Sequence, residues 1–222
     1  MKLNKILLIL SISTVLLQSQ TYDIVINNGR VMDPETGFDG VRNVGIRGDR
    51  IVEISSKALS GAIVVNAKGL VISPGFIDLH AHGQTNDAHK YQARDGVTTA
   101  LEMEGGVAFY REWIESKKEN SIVNYGGTAP HGFLRATAMD SNLKIAKKMA
   151  NKVKKDGYKE DGLLGKLFDE SLASARYKPM SQKEIDRSHD MMDIYLNAGA
   201  LGIGVPVGYY PGATAGEIFQ VY

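Results

Sequence analysis

The sequence predicts an α/β protein in which a small all-β unit leads into a parallel sheet or barrel of βα units. Residues 22–70 hold short β-prone runs with turn signals about every eight to twelve residues, as small sandwiches have. From about residue 70 onward, β-prone runs alternate with helical ones, the pattern of βα repeats. The chain has 222 residues, 43% hydrophobic and 23% charged, enough to bury a core. Its net charge of +1 gives no electrostatic case for a nucleic-acid partner. The absence of Cys excludes disulfides, thiolate metal sites and a cysteine nucleophile. Any metal must be held by His, Asp, Glu or a modified Lys.

Residues 1–20 (MKLNKILLILSISTVLLQSQ) read as a secretory signal peptide. Lys2 and Lys5 form the basic start, and residues 6–17 are an apolar run broken by Ser11, Ser13 and Thr14. That run is shorter than the roughly 20 residues of a membrane-spanning helix. A retained anchor or a buried helix is the alternative. The expected mature protein is exported, to periplasm or medium, begins near Gln20 or Thr21, and has no membrane span once cleaved. Residues 22–31 (YDIVINNGRV) predict a strand, a tight turn at Asn28-Gly29 and a second strand. Further short strands are expected at 44–46, 51–54 and 63–66, so that residues 21–70 form the N-terminal part of a small β-sandwich subdomain.

In residues 71–222, strands are predicted near 72–80, 97–104, 122–128 and 201–207. Helices are expected at 107–118 and at 181–198, the latter with a capping box from Ser181 and Glu184. Residues 142–179 fit the repeat poorly and read as a lysine-rich helical insertion near the mouth of the sheet. Its lysines form either a solvated helix face or a patch for phosphate or membrane. His131 and Arg135 are placed in a polar loop after the third strand. His89, in a polar loop, and His189, inside a helix, are read as solvent-facing.

The chemistry concentrates where the first of these strands ends. His80 and His82 are two apart, and in an extended chain such residues share a face. Two imidazoles on one face at the C-terminal end of a strand suit a single metal ion, and Gly83 leaves room beside them. Asp78, one layer deeper, is expected to orient an imidazole by accepting its N–H. Glu102 and Glu104 repeat the spacing at the end of the next strand.

The run PGFIDLHAHG, residues 74–83, resembles the signature of the amidohydrolase superfamily of metal-dependent hydrolases. Within it, GVTTALEMEGG, NYGGTAPHGFLR and NAGALGIGVPVGYYPG are similar to the N-acyl-D-amino-acid deacylases. The resemblance covers nearly all of the mature chain. It implies a TIM-like (β/α)8 barrel that hydrolyses the amide of a small N-acyl amino acid with water activated by a divalent metal, zinc above all. The deacylases often carry a metal-ligating Cys at the end of the second strand. Here Glu104 stands nearest that position and is expected to join His80 and His82 as ligand, with Glu102 the alternative and an ion pair the competing role. A Glu at this place resembles a sub-branch acting on acidic substrates such as N-acyl-D-glutamate.

His131 either contacts substrate or fixes its loop. Arg135 either pairs with a substrate carboxylate or makes a structural ion pair. Tyr209 or Tyr210 is a candidate substrate contact, against ordinary wall packing. A cyclic-amide hydrolase, dihydroorotase- or hydantoinase-like, is the competing enzyme. It would favour a carboxylated lysine in the fourth strand, and residues 201–207 contain none. A non-catalytic, secreted metal-binding half-barrel is the alternative outside enzymology.

A complete barrel takes about 250 residues, whereas about 150 follow the β unit here. The expectation is therefore the first four βα units of a longer enzyme. By the resemblance, further histidine ligands and the general-base Asp would lie beyond residue 222. The chain alone would then be inactive and poorly soluble, because barrel strand edges would be exposed. Neither composition nor motif fixes the oligomeric state.

Overall fold

A computed structural model describes residues 22–158 and 162–221. The expected signal peptide lies outside the described residues. The chain divides into two compact units, residues 1–74 and 75–222.

The first unit is a single five-stranded sheet. Its strands are β1 (Tyr22–Asp33), β2 (Phe38–Arg47), β3 (Arg50–Ser55), β4 (Gly61–Asn66) and β5 (Val71–Ile72). The order is β3-β2-β1-β4, with β5 also on β1. β2 lies antiparallel to β1 and β3, whereas β4 and β5 run parallel to β1. The described strands of this unit belong to one sheet. The expected turn at Asn28-Gly29 is corrected, because β1 runs straight through it.

Asn28 instead sits at φ 66°, where the β1–β2 register shifts, and so forms a bulge. Asn tolerates this left-handed backbone better than most residues. Its N–H donates to Asn43 Oδ1 at 2.8 Å, which secures the bulge from the neighbouring strand. A side chain at Gly29 would meet the Ile72 side chain at 2.4 Å, so the glycine leaves room for Ile72 of β5 against β1. Before the bulge β1 pairs with β4, and after it with β5.

The second unit places parallel strands side by side. β6 (Phe76–Asp78), β7 (Val97–Glu102) and β8 (Asn124–Gly127) form one sheet in that order. The chain breaks at Thr128 and resumes as β9 (Ala129–Pro130), which pairs in parallel with β10 (Ile203–Gly204). Leu201 N–H reaches Gly127 O at 2.9 Å and Ala129 N–H reaches Gly202 O at 2.8 Å, so the β10 segment follows β8–β9 in the sheet order. Helices α1 (Asn86–Arg94) and α2 (Tyr110–Lys117) connect the first strands. Trp113 of α2 is fully buried with Val107 and Tyr110. Among the described residues, no helix is long and apolar enough to cross a membrane.

Between β9 and β10 come α3 (His131–Ala138), α4 (Leu143–Asp156), α5 (Gly162–Tyr177) and α6 (Gln182–Asn197), and α7 (Ala215–Val221) follows β10. The capping box of Ser181 and Glu184 is formed at α6. The lysine-rich segment is built as α4 and α5, and both pack against α3. Leu134, Met149 and Met192 from α3, α4 and α6 meet in one core.

The segment expected as a polar loop around His131 and Arg135 is α3, and all eight of its residues are buried. Such a helix shows no polar stripe, the signal by which a surface helix is recognised. Arg135 is wholly buried. Its Nε donates to Ala175 O at 2.7 Å, Nη1 to Glu217 Oε2 and Nη2 to Lys178 O. His131 Nε2 lies 3.1 Å from Glu217 Oε1. Both residues therefore tie α7 and the end of α5 to α3. In this structure Arg135 pairs with Glu217 and is wholly buried.

Burial pushes the Glu217 carboxyl up, but the hydrogen bonds from His131 and Arg135 outweigh it and hold it below its ordinary 4.5. A carboxyl depressed by folding stabilises above its unfolded pKa, and that share is lost as pH falls through the folded value. Arg135→Met should cost about 3–5 kcal/mol in urea unfolding at pH 7, because it strips a buried carboxylate of its cation. Acidification below pH 4.5 should then remove less stability from the variant than from the parent.

Candidate metal centre

β6 ends at Asp78, and the next four residues settle against the end of β7. Asp78 Oδ1 accepts the backbone N–H of His80 at 2.9 Å. It thus fixes the main chain, and the imidazole it was expected to orient takes another partner. Ala81 N–H donates to Leu101 O at 3.0 Å, and His80 forms a bridge with Glu102. Gly83, at φ 79°, turns the chain away. The two rings meet edge to face, with Nε2 atoms 2.9 Å apart.

Glu104, just past the end of β7, completes a triangle. Its Oε2 lies 3.1 Å from His80 Nε2 and 3.2 Å from His82 Nε2. Among the described residues these three form the group able to hold an ion. Donors around a tetrahedral zinc at about 2.0–2.2 Å stand about 3.3–3.6 Å apart. The triangle is tighter by a few tenths of an ångström, so small side-chain rotations would seat a divalent cation.

Glu102 does a different job. It is buried, and its Oε2 lies 2.6 Å from His82 Nδ1. Its Oε1 accepts the N–H groups of Glu104 at 3.2 Å and Gly105 at 3.0 Å. With Nδ1–H donating to Glu102, the Nε2 lone pair of His82 faces the triangle. One carboxylate thus orients one donor residue and holds the main chain of another. The sequence offered Glu102 as an alternative ligand or as an ion-pair partner, and here it lies against His82 Nδ1.

Two glycines set the height of the Glu104 loop. A side chain at Gly106, at φ 74°, would meet Thr128 O at 2.6 Å, and one at Gly204 would meet Glu104 O at 2.4 Å. The loop therefore lies directly on the backbones of β9 and β10. Past Gly105 and Gly106 opens a cavity of about 490 Å³.

His89 is fully buried on α1, which corrects its reading as a solvent-facing loop residue. Gln84 Nε2 donates to Ala81 O at 2.6 Å, which leaves Gln84 Oε1 to accept from His89 Nε2 at 3.1 Å. His89 Nδ1 lies 2.9 Å from Ser121 Oγ. Burial, aided by the charge of Lys117, lowers His89 to about 4, so it stays neutral. Gln84 was not singled out in the sequence, and only the contact with Ala81 O reveals its place. Tyr209 is exposed and Tyr210 buried beside Gly132. Neither tyrosine belongs to the donor triangle.

No protein-family model matches the chain. Among solved structures, D-aminoacylase superposes with a TM-score of 0.63 over 90% of this chain and 42% of that one, at 23% identity. N-acyl-D-glutamate deacylase from Bordetella bronchiseptica, solved with zinc and a phosphonate inhibitor, gives 0.65 over 91% and 42%, at 19% identity. The fold is similar to that of the amidohydrolases. Dihydroorotase from Streptococcus pneumoniae is 40% identical over 82 residues, which is 35% of this chain and 19% of that enzyme. The chain thus spans about a fifth of the dihydroorotases it matches and under half of the amidohydrolase structures.

The hydrogen bond to Glu102, reinforced by that residue's charge, raises His82 above its ordinary 6.5. In the metal-free protein, an NMR titration should find His82 still protonated above pH 6.5. Glu102→Gln should move its midpoint down towards 6.5.

Proposed function

We propose that this chain carries metal-binding residues of an amide hydrolase acting on N-acyl-D-amino acids. The observation that carries the reading is the donor triangle backed by a buried carboxylate on the far nitrogen of His82. Imidazoles that ligate metals are commonly oriented in this way, and the carboxylate raises their basicity. His80 Nε2, His82 Nε2 and Glu104 Oε2 would hold the ion, and this donor set of two nitrogens and one oxygen suits zinc. A divalent ion held there supplies Lewis acidity, polarising an amide carbonyl and making water acidic enough to attack at neutral pH. The protein's part is to aim the Nε2 lone pair of His82 at the triangle and hold the Glu104 backbone, both through Glu102, and to present the cavity beside Gly105 to the rest of the substrate. The match of 90% of the chain to two deacylase structures supports this substrate class over others.

A second reading, hydrolysis of a cyclic amide, draws on the local identity with dihydroorotases. Against it, β10 supplies no lysine to be carboxylated as a bridging ligand. Hydrolysis of N-acetyl-D-amino acids and of dihydroorotate by the full-length protein separates the two.

Zinc titration calorimetry tests the centre directly. Glu102→Gln should lower zinc affinity about 10–100-fold. His80→Asn, His82→Asn and Glu104→Gln should each lower it further. Affinity should also fall on acidification, because His82 must release its proton to bind. Unchanged zinc affinity in the three donor variants would overturn the reading.

A further inference from the structure

His80 and His82 reach one point because the chain turns sharply between them. His82 N–H donates to His80 O at 3.1 Å, the bond of a γ-turn centred on Ala81. An extended strand would set the two residues about 6.5 Å apart along its axis. The turn shortens that step, and the rings meet edge to face. Hydrogen bonds hold the turn from two sides. Ala81 N–H donates to Leu101 O of β7 at 3.0 Å. Ala81 O, on the peptide that leads into His82, accepts from Gln84 Nε2 at 2.6 Å. That peptide is thus gripped at both ends, by His80 O on its N–H and by Gln84 on its carbonyl.

Gln84 is itself locked. It is buried, and its Oε1 lies 3.1 Å from Nε2 of the fully buried His89. An amide donates at one end and accepts at the other, the chemistry needed to bridge a carbonyl to an imidazole N–H. Ser121 Oγ lies 2.9 Å from the other ring nitrogen of His89, and Tyr125 stacks on the ring with centroids 6.1 Å apart. Thr85 caps α1 by accepting the Ala88 N–H at 3.0 Å, so Gln84 stands one residue before the cap of the helix that bears His89. Three residues after His89, on the same face of α1, Gln92 Nε2 donates to His82 O at 3.3 Å.

We propose that Gln84, locked by His89, is a positioning residue of the metal centre. It acts on the main chain between the two imidazole donors, whereas Glu102 acts on the ring of His82. The inference rests on the metal-centre reading above and adds to it the residues that shape the donor turn.

The test uses the whole protein with zinc alone for affinity and cobalt(II) alone for geometry, since the visible bands of cobalt report the number and angles of its donors. Gln84→Met keeps the length of the side chain and removes both hydrogen bonds. It should weaken zinc binding about 10-fold or more and shift the cobalt bands. A merely structural role would lower the urea midpoint in chelator yet leave both metal readouts of the folded protein at parent values, and that result would overturn the inference. His89→Gln retains a donor for Gln84 Oε1 and should keep affinity and spectrum near the parent's, whereas His89→Met should lose both. Equal metal binding by these two variants would also overturn it. Should Gln84→Met not fold, Gln84→Asn carries the same expectation, because its amide is one carbon too short to reach both partners. His80→Asn, His82→Asn and Glu104→Gln are measured alongside. Full zinc affinity in those three would sink the metal centre and this inference with it. Loss in those three, with parent affinity and spectrum in the Gln84 variant, would sink this inference alone.

Discussion

The contact on which the candidate site depends is the 2.6 Å bond between Glu102 and the Nδ1 of His82. It joins the loop after β6 to the end of β7. It decides which nitrogen of His82 keeps its lone pair, and it occupies one oxygen of a carboxylate whose other oxygen holds the Glu104 and Gly105 amides. A buried carboxylate with these partners has little freedom to move, so its position transmits to donors on both strands. The raised basicity of His82 follows from the same bond. The fold's contribution is to bring β6 and β7 side by side in parallel, so that two neighbouring strand ends present their side chains to one point.

The reach of sequence reasoning here follows the range of the forces involved. The i, i+2 spacing singled out His80, His82 and Glu104, which lie together in the structure, yet β6 ends at Asp78 and β7 at Glu102, so the segments past the strands, and not alternation alone, bring them together. For Asp78 the spacing misled, because its Oδ1 takes the His80 backbone N–H. Asn28-Gly29 has the chemistry of a tight turn, yet that chemistry suits a bulge equally. The choice was made by Asn43, Ala67 and Ile72 on neighbouring segments. α3 was invisible because it is buried on every side, and its Arg135 read as a ligand for substrate because its acceptor, Glu217, lies 82 residues away. His89 sits in a polar stretch, and its burial comes from Ser121, 32 residues on.

Similarity to solved amidohydrolases covers nine-tenths of this chain but under half of each of those structures. The donor triangle lies at the ends of β6 and β7, whereas the cavity wall draws on α3, α4 and α5.

Gly106 and Gly204 carry no donor atom, yet they set where one donor stands. Each occupies a gap too narrow for a methyl group between the Glu104 loop and the backbones beneath it. An alanine at either place would pry that loop upward and carry the carboxylate off the imidazoles, so the centre could be dismantled by a mutation that touches none of its chemistry.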